Sequence, residues 1–397
     1  MIFFLVFKDS NPSWIGNVGI NGWLEIARNV VSGHGYSSHE LLTYFQATRL
    51  QPTAARSPLP VLVLSALIFL FGNNYGILFA YSWALSAATA VALYFLSKKI
   101  FLREKMAWAT ALLYCFYIPE MCISTGYAAA SESLFTLLLI GYFLTVLKNI
   151  ETKKKSWAAL AGFFLGCACL CRPVVLFLPA LYVVWILRTD RAKAVSSAVL
   201  FSAVFCACLC PWAVRNQMVF QKPILTSTLG GYNLLRHNEM IEKNEFSIYT
   251  WNQFDPIARK AVAERGEDFD RLNETQLDRI LAEKAVGIIK AYPLRYLKLC
   301  ALRCVWLWYK VTGEEPLALG QNIVIYVFMF PGILLAFFRK HFLTFFAWHI
   351  LYFVLFYALI NVQFRFICPL MPYGIMLAVY AAFSMFSFFR PLERKSF

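Results

Sequence analysis

The chain has 397 residues, of which 60% are hydrophobic and 17% aromatic, with a mean hydropathy of +0.58. A soluble domain holds closer to half apolar residues, so a soluble enzyme is excluded. The formal charge of +15 does not point to nucleic acid. Its Lys and Arg residues gather in short connectors between apolar runs, as cytoplasmic loops beside anionic lipid require.

Met1–Phe7 is apolar, too short to span, and lacks a charged leading region, so it reads as the end of a first transmembrane helix rather than as a cleaved signal. A first outer loop then runs over 8–76. Within it, Pro58–Phe71 is apolar but too short to span and is bounded by prolines and Gly72, which predicts an interfacial or re-entrant helix. Apolar runs of spanning character follow at 77–97, 106–119, 132–147, 157–171, 173–187, 194–211, 320–338, 342–360 and 368–389. The basic connectors Lys98 to Lys105, Lys148 to Lys155, Arg188 to Lys193, Arg339-Lys340 and the tail Arg390 to Lys395 are then all cytoplasmic, and 120–131, the turn at Arg172, 212–319 and 361–367 face outward with 8–76.

This divides the chain into 1–76 (helix end and first outer loop), 77–211 (bundle), 212–319 (outer amphipathic helical lobe) and 320–397 (last spans and cytoplasmic tail). In the lobe, Leu272, Leu277, Ile280, Leu281 and Ile288 follow helical spacing, and Tyr296 to Tyr309 is expected to lie along the outer face with Arg303 and Lys298 among Trp306, Trp308 and Tyr309. The cysteines, six of them in apolar runs from Cys167 to Cys210, read as packing residues, and no disulfide framework, metal site or cofactor is expected. The histidines His34, His39 and His237 read as surface residues, and Asn273-Glu274-Thr275 has the form of a glycosylation acceptor.

Six short motifs stand at outer ends of these segments. They are Gly22-Trp23-Leu24-Glu25-Ile26-Ala27-Arg28-Asn29 with Gly33-His34-Gly35-Tyr36-Ser37; Pro52-Thr53-Ala54-Ala55-Arg56-Ser57-Pro58-Leu59-Pro60; Ala130-Ser131-Glu132-Ser133; Cys171-Arg172-Pro173; Pro211-Trp212-Ala213-Val214-Arg215-Asn216 leading to Ser227-Thr228-Leu229-Gly230-Gly231; and Gln363-Phe364-Arg365-Phe366 before Cys368-Pro369 and Pro372-Tyr373. In this order, and on one side of the membrane, they resemble the GT-C superfamily of membrane glycosyltransferases, in particular the branch of protein O-mannosyltransferases and aminoarabinose transferases. The resemblance extends over nearly the whole chain.

The resemblance implies an all-α polytopic membrane fold: about nine to eleven transmembrane helices, outer-face juxtamembrane helices and a small outer helical lobe. It implies a polyprenyl-phosphate sugar lipid as donor, a glycan, lipid or protein as acceptor, inversion at the anomeric carbon, and an outward-facing site in a bacterial inner membrane. Such a reaction needs an acid to take the acceptor's proton and cations to stabilise the departing phosphate. The family's early acid, commonly Asp, aligns with Asn21, and a neutral amide is no base. Glu25, one helical turn later, is the leading substitute, with Asp9 in reserve. Glu132, at an apolar boundary, joins them as a catalytic candidate. Arg56, Arg172, Arg215 and Arg365 are candidate phosphate ligands, Arg56 and Arg172 foremost, with Arg215 alternatively pairing inside its own motif. Asn21, Trp23, Tyr36 and Tyr232 are candidates for the sugar or acceptor; Glu120 reads as a helix-end charge. The alternatives are a transporter or flippase of a lipid-linked substrate, which favours repeated halves and broken mid-membrane helices absent from this pattern, and a GT-C-like protein without activity.

Overall fold

The computed structural model describes residues 21–42, 45–126, 131–188, 191–247, 254–309, 316–339 and 342–386. These form sixteen α-helices and one two-stranded sheet. Asp9 lies outside the described residues, as does the side chain of Asn21.

The first outer loop opens with α1 (Asn21–Val31), whose Leu24, Ile26 and Ala27 pack on Val61 and Leu64 of α2 (Pro58–Phe71). Gly33 and Gly35, both at positive φ, end α1 where a side chain would be strained. Between the two helices an antiparallel hairpin, β1 (Ser37–Leu41) and β2 (Phe45–Pro52), interrupts the helical fold. The all-helical expectation did not include it. Its strands are polar and short, and tertiary pairing rather than residue pattern creates them. The helix expected at Pro58–Phe71 has those bounds, with Pro58 and Pro60 in the first turn, where an amide donor is not needed, and Gly72 at φ 72 after it.

The bundle follows as α3 (Tyr75–Phe101), α4 (Glu104–Cys115), α5 (Ile118–Gly126), α6 (Ser131–Thr152), α7 (Lys155–Cys171), a 3₁₀ turn (Pro173–Val175) with α8 (Leu178–Leu187), and α9 (Arg191–Phe220). The lobe holds α10 (Gly230–Asn238), α11 (Phe254–Ala263), α12 (Glu274–Ala291) and α13 (Pro293–Tyr309), and then come the last helices α14 (Pro316–Phe338), α15 (Leu343–Ile360) and α16 (Met371–Phe386). Among the described residues, six stretches are long and apolar enough to cross a membrane: Tyr75–Phe101, Ser131–Thr152, Ala194–Phe220, Ala318–Phe338, Leu343–Ile360 and Cys368–Met385. The runs expected at 106–119, 157–171 and 173–187 form shorter helices. The boundary expected at 211 falls inside α9, which carries Pro211 and continues to Phe220, since one proline removes a single backbone donor. Large apolar side chains on α3 and α14, among them Phe95, Val91, Val324 and Val327, are exposed, as lipid-facing residues are.

Small residues set how closely the helices approach. A β-carbon on Gly162 of α7 would fall 2.4 Å from the Phe201 carbonyl oxygen of α9, and one on Gly332 of α14 would fall 2.1 Å from that of Leu377 on α16. Around them, rings of Tyr142, Phe143, Phe345, Phe346 and Tyr373 fill the bundle core.

The lobe does not stand apart from the first outer loop. Leu41, Leu42 and Phe45 of the hairpin share one core with Tyr232, Leu235, Leu277, Ile280, Leu281 and Ile288. Helix α12 starts with a reciprocal cap, Asn273 accepting from the Gln276 amide while Gln276 accepts from that of Asn273. The two ends of the bundle are distinct. Lys99 of α3 pairs with Glu151 of α6 at 2.5 Å. That end also carries Lys148 and Lys153 to Lys155, whereas Glu132 and Arg172 lie at the other ends of α6 and α7. The lysines and Glu132 thus mark opposite ends of the bundle.

Candidate functional site

Two charged clusters take up most of the residues singled out in the sequence. The first lies at the bundle end. Glu132 is the second residue of α6, and its side chain is 2% exposed. Arg172 follows α7 in extended backbone (φ −146, ψ 125), which turns its side chain back, and its Nη1 lies 2.6 Å from Glu132 Oε1. Arg365, in a 3₁₀ turn before α16, brings Nε to 3.4 Å from the same oxygen and donates to Gln363 Oε1 at 3.0 Å. Arg172 also sits over the Phe135 and Phe366 rings at 5.9 and 5.1 Å. A lone carboxylate at this depth costs several kcal/mol, of order that of any unpaired buried ion; two cations offset it and leave one positive charge over.

Glu120, on α5, is not a surface helix-end charge. It is 2% exposed and accepts from Ser86 of α3 at 3.1 Å and Ser133 of α6 at 2.8 Å. Burial pushes its carboxyl up to about 7, against the serine hydrogen bonds and with the help of the nearby Glu132 charge.

The second cluster is built on α1 and the hairpin. Glu25 accepts from Ser38 Oγ at 2.8 Å, from the His39 amide at 2.8 Å and from His39 Nδ1 at 2.9 Å. Partial burial works against its charge, but these bonds outweigh it and hold the carboxyl below its ordinary value. Glu25 therefore clasps α1 to β1. Arg56 lies over the Trp23 ring at 5.7 Å and near enough to Glu40 to stabilise that carboxylate's charge. Tyr36 is partly buried, with its hydroxyl donating to the Arg56 and Ser57 carbonyls at 2.9 and 3.3 Å.

Arg215 pairs inside its own motif only with Asn216, and its other hydrogen bonds reach the first outer loop. It donates to the Thr53 carbonyl and to Asn216 Oδ1 at 2.8 Å each and to the Tyr36 carbonyl at 2.9 Å, and is ringed by Tyr36, Trp212 and Phe220. It ties α9 to both ends of the hairpin. Tyr232 is 1% exposed in the lobe core and accepts from Arg236 at 2.6 Å. His237 is also buried, within 3.1 Å of Asn361 Nδ2, because Arg303, itself buried, donates to the neighbouring Asn238 and to the Ala358 carbonyl and pulls this turn inward. His39 and His34 are exposed.

The structure thus brings Glu132 together with Arg172 and Arg365, and Trp23 with Arg56. Glu25 is bonded to Ser38 and His39, and Arg215 and Tyr232 to backbone and core. What joins the clusters is α2: it begins two residues after Arg56 and packs on α7, and its Leu59 touches the bundle core that holds Phe135, Cys171 and Phe366.

Two buried acids had no signal in the sequence. Glu274 opens α12 and accepts from Thr53 Oγ1 at 2.6 Å, the Ala54 amide at 2.8 Å and the Thr228 hydroxyl. Asp278, one turn on, accepts from the Tyr232 amide at 2.9 Å, and burial pushes it up to about 6. The Asn273-Glu274-Thr275 triplet is thus a helix cap and a latch between lobe and first loop. A cavity of about 440 Å³ on the lobe is lined by Glu264, Arg265, Glu283 and Lys284, which pair with one another, and it holds none of the candidate residues.

No family model matches the chain, and no curated protein matches it. Among solved structures, the chain is similar to ArnT from Cupriavidus metallidurans bound to undecaprenyl phosphate, with 12% identity, a TM-score of 0.37, and 97% of this chain and 77% of that one covered. It is similar also to the apo state of that protein, with 13% identity, a TM-score of 0.39, and coverage of 96% and 76%. Similarity at this level leaves the chemistry to be argued from the residues themselves.

Proposed function

We propose that this chain is a GT-C-like membrane glycosyltransferase that moves a sugar from a polyprenyl-phosphate carrier to an acceptor on the outer side of a bacterial inner membrane. The observation that carries the proposal is the Glu132 carboxylate held between Arg172 and Arg365. Three stretches far apart in sequence converge at the bundle end opposite the lysines, the end that the positive-inside rule assigns to the outer side, and leave one guanidinium charge in excess in a partly dry place. That is what a phosphate anion at the lipid headgroup level requires. Glu132 then orients the arginines rather than taking a proton, because an oxygen shared by two guanidiniums is a poor base.

All these groups stand at helix ends, whereas transport favours charges in broken helices near the midplane. The ArnT structure with undecaprenyl phosphate makes that lipid the natural probe. In membrane vesicles, undecaprenyl-phosphoryl sugars with a radiolabelled mannose, glucose or aminoarabinose are expected to lose label to an acceptor in the presence of the wild-type chain, and Arg172→Ala is expected to abolish this. The proposal fails if wild-type vesicles consume none of the three donors, or if Arg172→Ala and Arg365→Ala consume them at the wild-type rate.

A further inference from the structure

The resemblance calls for an acid where Asn21 stands, and Glu25 is already engaged by three hydrogen bonds with Ser38 and His39. A different carboxylate reaches the vicinity of that place from the hairpin. A β-carbon on residue 22 would come to 3.0 Å from Glu40 Oε2, and to 3.5 and 3.6 Å from Arg56 Nη2 and Nε. Residue 22 is a glycine, next in sequence to Asn21, and any side chain there would press on Glu40. The missing side chain on α1 thus makes room for one arriving from β1, next to the guanidinium of Arg56.

The strand is shaped for this. Its pairing with β2 shifts register between Ser38 and Glu40, and the Glu40 amide donates to Ser38 Oγ at 3.0 Å. Such irregularities re-aim a side chain that regular pairing would place elsewhere. Beside the pair, Trp23 Nε1 is a solvent-shielded donor without a hydrogen-bond acceptor among the described residues, as a site for an oxygen-rich ligand would have.

We propose that Glu40 is the general base of the transfer reaction, supplied by the hairpin in place of an acid on α1. The proposal rests on the transferase reading. In the step, the acceptor hydroxyl oxygen forms a bond to the anomeric carbon and the bond from that carbon to the phosphate oxygen breaks, its electron pair leaving with the polyprenyl phosphate. The hydroxyl proton passes to Glu40, which later gives it to water, while the growing phosphate charge on the opposite face of the sugar falls to Arg172 and Arg365. Partial burial raises the Glu40 carboxyl above its ordinary value, Arg56 opposes this and the Glu25 charge adds to it. The result is a stronger base than a solvated glutamate.

The test compares wild type, Glu40→Gln, Glu40→Asp and, as a control on the lobe surface, Glu283→Gln, in vesicles supplied with the three labelled donors, with binding of undecaprenyl phosphate measured in parallel. Glu40→Gln is expected to bind undecaprenyl phosphate as wild type does and to transfer sugar about 100-fold or more slowly. Glu40→Asp is expected to recover part of the rate with its acid limb displaced in pH, and Glu283→Gln to match wild type. Transfer by Glu40→Gln at the wild-type rate overturns the assignment alone. Loss of undecaprenyl phosphate binding together with transfer also overturns it, marking Glu40 as part of the binding platform. A wild-type chain that transfers nothing overturns the transferase reading and this assignment with it.

Discussion

Arg172 and Glu132 meet across the ends of two antiparallel helices, with Nη1 2.6 Å from Oε1, at the end of the bundle opposite its lysines. This contact makes a buried acid at the start of a membrane helix tolerable. It also places a guanidinium at the bundle end away from the lysine clusters.

Removing Arg172 leaves the buried Glu132 with only the partly exposed Arg365, 3.4 Å away, to offset its charge. Arg172→Ala is expected to destabilise the protein by about 1–3 kcal/mol, through the lost close ion pair and the donors it supplied. Glu132→Gln together with Arg172→Met, a pair close to neutral in charge and similar in volume, should recover much of that loss. Thermal unfolding in detergent checks both, and a double variant no more stable than Arg172→Ala shows that the pair is not the cause.

Arg215 holds three acceptors on two segments with one planar fork. Arg215→Lys keeps the charge but cannot span the Thr53 and Tyr36 carbonyls, so it is expected to cost about 2 kcal/mol or more through unsatisfied buried acceptors. The hairpin should then be cut faster in limited proteolysis. Equal cutting of wild type and Arg215→Lys contradicts this.

A β-carbon on Gly231 of α10 would lie 1.9 Å from the Asp278 carbonyl oxygen and 2.7 Å from the Ala282 amide nitrogen of α12. These are backbone atoms that cannot swing aside. Gly231→Ala is expected to force the two lobe helices apart at a cost of about 1–3 kcal/mol, as overpacking does. Faster hydrogen exchange at Leu235 and Leu281 reports it, and unchanged exchange there refutes it.

Glu120 ties stability to pH. Its carboxyl sits at about 7 in the folded protein against an ordinary value of 4.5, because burial disfavours the charge. The folded state therefore holds its proton more tightly than the unfolded state. The stability this contributes is complete below pH 4.5 and is lost as pH rises to 7. Glu120→Gln, which cannot ionise, should gain on wild type by about 3 kcal/mol across that window and hold a constant difference above it. Melting curves of both proteins from pH 4 to 8 measure this; a difference that does not change with pH rules it out.

The sequence by itself determined that the chain is helical and membrane-embedded, which segments are apolar enough to lie in or on lipid, and which connectors gather the lysines. These follow from hydropathy and from the placement of Lys and Arg, and both act locally along the chain. The helix Pro58–Phe71 and the buried face of α12 were legible for the same reason. Only the tertiary structure decided which charged residues meet. Glu132 found Arg172 and Arg365, whereas Glu25 closed on Ser38 and His39 and Arg215 on backbone carbonyls. It also decided that the hairpin exists and shares a core with the lobe, that Tyr232 and His237 are buried, and that Glu40 fills the space left by Gly22. Those outcomes depend on contacts between segments far apart in sequence, and a residue's own neighbours in the chain carry no record of such partners.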